Sequence, residues 1–430
     1  MIFVCCGGTA DKMGKYLRTS VKKGFCFAVI CAVSGAVSAA SADEMSRIVA
    51  GDMPTVRDRF EGLGTRAGQF WVLPTVETGL FYDSNVFATS FSERDDGGVY
   101  VKPNVAVKSD FGRHALNMRV GLEHYEYFDL SSQSRTDFDG EMDGRIDVRS
   151  DTVLLGGLKG GRFSQDPSNI EYPIFGDGEP GEYFTFEGWG SVNHAINRVS
   201  LSAGAAYKFN DYDSIPGIGP LPPINQDFRD GDVVTVGGRI GYLVSPGYKV
   251  FGDFRYNWRD YDQAIIVDSD GWRALGGVEF EITHLVTGEL AVGYMEQVYD
   301  LPGSPTTSGF SYHGALAWNP TQLMTVRLDA DRTIEDSTLN QTGRTQDSVK
   351  LGLDYEVLRT VIFSPELGFS YNDYSNAVPD DFRFDAGANL EYKMNRYLSV
   401  GGRYKYSYND TSGPLDWDRH LVGIYAKAGF

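Results

Sequence analysis

The sequence between residues 70 and 430 repeats one unit, in which apolar and polar residues alternate over about ten to fourteen positions before a break. A period of two residues places successive side chains on opposite faces of a β-strand. In the clearest unit, 248–258, aromatic and aliphatic residues occupy one face, and charged or amide residues occupy most of the other. The chain is therefore predicted to be all-β, with strands that each have an apolar and a polar face.

These units predict an antiparallel up-and-down barrel of about 18 strands, with 16 to 18 acceptable, because bacterial membrane barrels have even strand numbers. The predicted strands are 70–82, 99–107, 116–122, 138–148, 153–163, 184–196, 199–209, 234–242, 248–258, 272–282, 286–298, 310–318, 324–330, 349–357, 361–371, 382–394, 398–408 and 420–430.

The connections between the predicted strands alternate in length. Tight turns such as 149–152 and 244–247 are interleaved with long connections such as 164–182 and 211–231. Short periplasmic turns and long external loops are the usual asymmetry of an outer-membrane barrel. We therefore expect an integral outer-membrane protein of a Gram-negative bacterium, with both barrel termini in the periplasm.

A soluble β-sandwich is the alternative reading of the same alternation. Aromatic residues at the ends of the apolar strand faces argue against it, because interfacial girdles of membrane barrels look like this. They are Tyr242, Tyr248, Trp258, Trp272 and Trp318. No stretch after residue 42 has the 18 to 20 apolar residues of a spanning helix, so a membrane protein would have to be of the β type.

The N-terminal residues read as an export signal. A basic stretch leads into an apolar run too short to span a bilayer, and residues 40–42 (ASA) supply a cleavage pattern. We predict a signal peptide at 1–42, a short periplasmic segment at 43–69 and the barrel at 70–430. All four cysteines lie within 1–42, so the mature chain would carry no thiol.

The charge of the chain is strongly acidic. Removing residues 1–42 takes away five Lys or Arg and one Asp, which changes the formal charge from −19 to about −23. Binding to nucleic acid through bulk charge is disfavoured. The six histidines lack a recognisable nucleophile arrangement, and no metal cluster or phosphate loop is present in the sequence. We expect no enzymatic activity and no cofactor.

The stretch 60–88 resembles the opening of the putative β-barrel porin 2 family. The resemblance rests on residues 64–70 (GTRAGQF), 72–74 (VLP) and 79–86 (GLFYDSNV), where the Tyr-Asp-x-Asn element closes the first strand. It implies an outer-membrane barrel. Many members of the family are associated with the export of capsule or exopolysaccharide beside a periplasmic polysaccharide-export protein, and the terminal Phe430 is similar to the signal read by the barrel-assembly machinery.

The polar strand faces predict the lining of a pore. An 18-stranded wall encloses an aqueous channel unless a segment fills it, although charged residues in a barrel also form ion pairs that only brace the wall. An acidic strand at 137–147 would face the more basic Arg255, Arg259, Arg403 and Lys405. The candidate lining residues are Arg119, Glu123, Asp139, Glu141, Asp143, Arg145, Arg239, Asp253, Arg255, Arg259, Arg273, Glu279, Arg327, Asp329, Asp354, Arg383, Asp385, Arg403 and Lys405.

The connection at 213–225 is rich in proline and glycine, which cannot extend a strand ladder. Its prolines are Pro216, Pro220, Pro222 and Pro223. This loop is predicted either to fold inward as a gate or to form an exposed, structured cap. No inward-folded third loop of the kind that porins use is evident from the residues.

The sequence therefore predicts a monomeric barrel in outer-membrane lipid. Its expected role is a conduit for exopolysaccharide, with a polysaccharide chain and a separate periplasmic export protein as partners. A general or solute-specific diffusion porin is the first alternative, and an adhesion or structural surface barrel is the second.

Overall fold

The computed structural model describes residues 64–430 except 92, 170–177, 218–219, 221, 264–265, 284, 301–302, 305, 340–342, 375–378 and 412–415. The predicted signal peptide, 1–42, and most of the predicted segment 43–69 lie outside the described residues. Of the helical type, the described part has two single turns of 3₁₀ helix, Ser131–Gln133 and Asp227–Arg229. Within these ranges, no helix is long and apolar enough to cross a membrane.

The strands follow one another along the chain with few interruptions. They are β1 (Thr65–Ala67), β2 (Phe70–Asp83), β3 (Asp96–Ser109), β4 (Ala115–Tyr127), β5 (Arg135–Arg149), β6 (Thr152–Ser164), β7 (Glu182–Ile196), β8 (Val199–Tyr212), β9 (Gly231–Ser245), β10 (Tyr248–Tyr261), β11 (Ser269–Ile282), β12 (Val286–Tyr299), β13 (Thr307–Thr321), β14 (Met324–Glu335), β15 (Arg344–Leu358), β16 (Val361–Asp373), β17 (Asp381–Lys393), β18 (Leu398–Asp410) and β19 (Trp417–Gly429).

The strands β2 to β19 form a closed antiparallel barrel. Each pairs with the next along the chain, and β19 returns to pair with β2, with Leu421 opposite Asp83. Because no edge is left open, every strand finds ladder partners on both sides. The three-residue β1 adds only a short pairing to β2, with Thr65 opposite Val72. The predicted fold class and the predicted count of 18 barrel strands are confirmed.

The connections alternate in length as expected. Turns of two to five residues alternate with loops of six to eighteen residues, and antiparallel pairing places the two kinds at opposite ends. We call these ends the turn end and the loop end. In the turn after β9, Gly247 has φ +82°, the left-handed conformation that two-residue hairpin turns require.

The two faces of the sheet differ in chemistry. Large apolar side chains such as Val120, Ile240 and Ile424 are exposed on one face. On the other face, Arg239 of β9 reaches Glu289 of β12 at 2.8 Å, although adjacent strands are about 4.8 Å apart. Side chains three strands apart can meet only on the concave side of a curved sheet. The charged face is therefore the inner face, and the apolar face is the outer one.

The predicted girdle aromatics lie on the outer face. Tyr242, Tyr248, Trp258 and Trp318 are exposed there, and the ring of Trp272 packs 6.4 Å from that of Phe254. Exposed apolar area is unfavourable in water, at about 25 cal/mol per Å², but it is matched to hydrocarbon. The outer face thus has the chemistry of a surface that contacts lipid.

Candidate functional site: the barrel lumen

The nineteen candidate lining residues all lie on the inner face, because each occupies the strand parity opposite to the exposed apolar residues. The structure separates them into regions with different surroundings. Some are buried in ion pairs, and others face open space inside the barrel.

The inner face of β9 to β14, which we call the packed wall, is a dense network of buried charges. Arg239 donates hydrogen bonds to both carboxylate oxygens of Glu289, at 2.8 and 2.9 Å. It also contacts Glu279 at 3.2 Å and Asp253 at 3.3 Å. Its guanidinium stacks 4.1 Å from the ring of Phe251. One arginine thus links carboxylates from three neighbouring strands.

The other arginines of the packed wall are also paired. Arg273 contacts Asp331 at 3.1 Å, and Arg259 contacts Asp336 at 2.6 Å. Arg255 contacts Asp253 at 3.0 Å. The expectation that Arg255 and Arg259 form the basic side of a transverse field therefore differs from the structure, because their charges are buried and matched by carboxylates.

The inner face of β5, which we call the acidic wall, remains open to the lumen. Asp137, Asp139, Glu141 and Asp143 project from successive inner positions, and all are partly or fully accessible. Arg119 on β4 contacts Asp139 at 2.5 Å and Glu141 at 3.5 Å. Between residues 137 and 143, four carboxylates face the single cation Arg119, so this stretch of the wall is negative. Arg145, farther along the same face, pairs with Asp147 at 2.9 Å.

A cavity of about 1180 Å³ lies inside the barrel toward the turn end, against β2, β3 and β14 to β19. We call it the basic cavity, because its lining carries more cations than carboxylates. The cations are Lys108, Arg327, Arg359, Lys393, Arg396, Arg403, Lys405 and Lys427. The carboxylates are Glu77, Asp354, Glu366 and Glu391.

Large inner rings lie against the wall rather than projecting into the lumen. Each of five rings faces a glycine on the neighbouring strand, in the pairs Phe81 with Gly98, Tyr100 with Gly79, Trp189 with Gly157, Phe251 with Gly277 and Tyr425 with Gly401. A Cβ atom on Gly157 would come within 2.6 Å of the Trp189 ring. The glycines therefore provide the space that keeps these rings flat. None of these five rings therefore projects into the lumen as a stacking surface.

The first residues of the third long loop, 165–169, cross the lumen at the loop end. We call this segment the strap. Asp166 contacts Arg419 of β19 at 3.2 Å, and Arg383 of β17 donates to the backbone oxygen and to Oγ of Ser168, both at 3.3 Å. The strap leaves β6, which is five strands from β19 and seven from β17 along the wall. Contact over that separation requires a crossing of the barrel interior.

The proline-rich fourth loop braces the strap. Its Gln226 is fully buried and accepts a hydrogen bond from Gln165 Nε2 at 3.2 Å. Arg229 donates to Gln165 Oε1 at 3.2 Å, and Ile215 forms a bridge with Ile224. The four prolines predicted as a gate, Pro216, Pro220, Pro222 and Pro223, are exposed. The segment that reaches across the lumen belongs to the loop before it.

The carboxyl group of Asp166 is held ionised. Burial raises its pKa, but the positive charge of Arg419 and the hydrogen bonds from Ser168 outweigh burial and lower the pKa to about 2. The strap is therefore pinned by a charged contact at any ordinary pH.

The sequence contained little that could reveal the strap. Asp166, Pro167 and Ser168 form a turn in which Asp166 accepts a hydrogen bond from the Ser168 N–H at 2.9 Å, and such turns are common in loops. The partner Arg419 is 253 residues away. The length of the loop was the available signal in the sequence, and it did not show whether the loop folds into the lumen or away from it.

A closed barrel with an apolar outer face and a charged, partly open lumen defines an integral outer-membrane β-barrel. The chain belongs to the putative beta-barrel porin 2 family, which it matches over residues 58–428. The resemblance seen in residues 60–88 is thereby confirmed. Membership in a family of porins also confirms that the chain is a channel-type protein and not an enzyme.

Solved structures of outer-membrane proteins are similar in outline. OpdL of Pseudomonas aeruginosa matches with a TM-score of 0.42 and 9% identity, covering 85% of this chain and 99% of that one. A BenF-like porin from Pseudomonas fluorescens Pf-5 matches with a TM-score of 0.44 and 11% identity, covering 84% and 99%. The siderophore receptor PirA of Pseudomonas aeruginosa matches with a TM-score of 0.39 and 8% identity, covering 83% and 80%. No curated protein matches the chain.

Proposed function

We propose that this porin is a diffusion channel for small hydrated solutes. The strap is the observation that carries the proposal. It crosses the loop end of the lumen and is held there by Arg383 and Arg419, so a solute must pass beside it. Open space with charged, water-accessible walls lies below it, on the acidic wall and in the basic cavity.

The packed wall supports the same proposal, because it reduces the free cross-section. Its charges are matched and buried, and Phe251, Leu275 and Ala291 add an apolar cluster on the same inner face. The wet path is thus confined to the opposite side of the barrel. A restricted, charged passage suits small polar solutes.

Export of exopolysaccharide, which the family resemblance implied, stays a prediction. A growing polymer needs an unobstructed path along the full barrel, and the pinned strap argues against one. The periplasmic export protein and the polysaccharide chain expected as partners belong to this second candidate. The adhesion role has no support in the described contacts.

The orientation of the barrel is part of the proposal. We place the loop end outside and the turn end in the periplasm, with a cleaved signal at 1–42 and a monomeric barrel. At the turn end, the oxygen of Phe430 accepts a hydrogen bond from the Gly64 N–H at 3.1 Å. The Phe430 ring is exposed on the outside, where the assembly machinery could read it.

Liposome swelling and planar-bilayer recording test the proposal. Purified protein should admit sugars of low mass and exclude larger oligosaccharides. Asp166→Ala combined with Arg383→Ala removes the contact with Arg419 and both hydrogen bonds from Arg383 to Ser168. This variant should release the strap and raise single-channel conductance by about twofold, because the passage widens. Asp129→Ala, which removes an exposed carboxylate at the loop end, should leave the conductance unchanged. A channel that conducts nothing, or a released strap without effect, would contradict the proposal.

Gene deletion separates the two candidate functions. Normal surface polysaccharide with reduced uptake of small solutes supports the diffusion channel. Loss of polysaccharide with normal uptake supports export.

A further inference from the structure

We propose that the basic cavity is a binding site for small anions that carry carboxylate or phosphate groups. This inference rests on the proposed diffusion function and specifies the class of solute. The site would hold an anion at the turn end of the passage while it crosses the barrel.

The charge of the cavity is opposite to that of the protein. Its lining has eight Lys or Arg side chains and four Asp or Glu side chains, whereas the whole chain has 39 and 58. Cations concentrated in a recess with low-dielectric walls focus the field and raise the local concentration of counter-ions. A solute anion repelled by the rest of the protein would therefore accumulate here.

Four of these cations pair with carboxylates. Arg403 contacts Glu77 at 2.6 Å, and Lys393 contacts Glu391 at 2.6 Å. The remaining pairs are Arg327 with Asp354 and Lys405 with Asp385. These pairs fix the wall of the cavity and leave other cations to act on a solute.

Three cations of the lining lie near the turn end and take part in none of these four ion pairs. Arg359 lies in the turn after β15, Arg396 in the turn after β17, and Lys427 near the end of β19. In the described part of the chain, no carboxylate lies within 4 Å of any of them. The guanidinium of Arg396 rests 4.6 Å from the ring of Tyr397. This contact orients it without consuming its charge.

The size of the cavity suits a small hydrated anion. A volume of about 1180 Å³ is somewhat larger than a typical ligand pocket, so an anion would keep part of its water shell. Asn389 lines the same space, and its amide nitrogen can hydrogen-bond to the solute. Weak binding of this kind permits release as well as entry.

Phosphate block of the channel current tests the inference. Chloride current through the wild-type protein should be blocked by inorganic phosphate more strongly from the turn side than from the loop side. The variant Arg359→Gln with Arg396→Gln and Lys427→Gln should raise the half-blocking phosphate concentration at least about fivefold, since each nearby charge in water contributes about threefold before screening. It should also shift the reversal potential in a KCl gradient toward cations. Succinate should behave like phosphate.

The matched control removes three turn-end cations outside the cavity. Arg113 and Arg198 lie in the turns after β3 and β7, and Arg149 is the last residue of β5. The variant Arg113→Gln with Arg149→Gln and Arg198→Gln should leave the block nearly unchanged. Equal block from both sides of the wild-type channel, or equal effects of the two triple variants, would overturn the inference even if the channel conducts. If the protein conducts no current, the proposed function fails. Lys427→Gln alone provides a milder variant should the triple variant not fold.

Discussion

The packed wall and the basic cavity use the same residue types for opposite purposes. The arginine side chains of Arg239, Arg255, Arg259 and Arg273 are 10% to 14% exposed, whereas Arg403 and Lys405 are 35% and 46% exposed. The two cases differ in the number of carboxylates in reach. Arg239 contacts carboxylates on three neighbouring strands and becomes part of the wall. Arg403 contacts Glu77 and Lys405 contacts Asp385, and both cations stay more available to solutes.

The largest expected effect comes from breaking the packed wall. Arg239→Met would remove the cation that pairs with the buried Glu289, whereas Asp253 keeps Arg255 and Glu279 keeps Lys249. Removal of one partner from a buried pair costs about 3–5 kcal/mol. We expect a clearly lower unfolding temperature in detergent.

The matched control lies in the open lumen. Arg145 contacts Asp147 at 2.9 Å but is 55% exposed, so Arg145→Met should cost less than about 1 kcal/mol. Similar losses for both variants would show that the packed wall is no more dependent on its ion pairs than the open lumen.

The acidic wall should govern cation passage. Asp139→Asn with Glu141→Gln removes two charges that face open lumen, and each is expected to change cation permeability by about twofold to threefold. The reversal potential in a KCl gradient should move toward anions, opposite to the shift expected for the cavity variants. Asp129→Asn is the control and should cause no shift. If Asp139→Asn with Glu141→Gln shifted the reversal potential in the same direction as the cavity variants, the lumen would not have separate cation-selective and anion-selective sides.

Glycines that seat the inner rings offer a smaller test. Gly157→Ala places a Cβ against the Trp189 ring at 2.6 Å, whereas a Cβ on Gly352 meets open space. Gly157→Ala should push the ring inward and lower the conductance by about a quarter, with a stability cost of about 1–3 kcal/mol for overpacking. Gly352→Ala should do neither. Equal conductances of the wild-type protein and Gly157→Ala would mean that the Trp189 ring moves along the wall instead of into the lumen.

The smallest expected effect is the pH response of the strap. The pKa of Asp166 is lowered to about 2 from 3.8. A lowered pKa means that the pairing with Arg419 is complete above about pH 4 and is lost as the pH falls through 2. Conductance should therefore be the same at pH 7 and pH 4. Asp166→Asn should have a raised conductance at both, and a wild-type rise already at pH 5 would contradict this assignment.

The number of strands and the face on which each side chain lies could be predicted from the residues, because both depend on the local alternation of apolar and polar residues. The unit 248–258 became β10, Tyr248–Tyr261, and 116–122 became the longer β4, Ala115–Tyr127, since polar and aromatic residues at its loop end blur the pattern. The ion pairs between side chains on distant strands could not be predicted. Arg239 and Glu289 are 50 residues apart, and their contact depends on the curvature of four strands. The strap depends on a partner still farther away.

The pairing of β2 with β19 imposes an order on biogenesis. Leu421 lies opposite Asp83, and Arg419 holds Asp83 with a bond of 2.5 Å at the same join, although more than three hundred residues of chain separate them. Such a contact is unavailable until the last segment has been made, and closing so long a loop is slow. A chain that lacks β19 would have two open sheet edges with unpaired backbone groups. The nascent protein therefore depends on protection of these edges before it reaches the membrane.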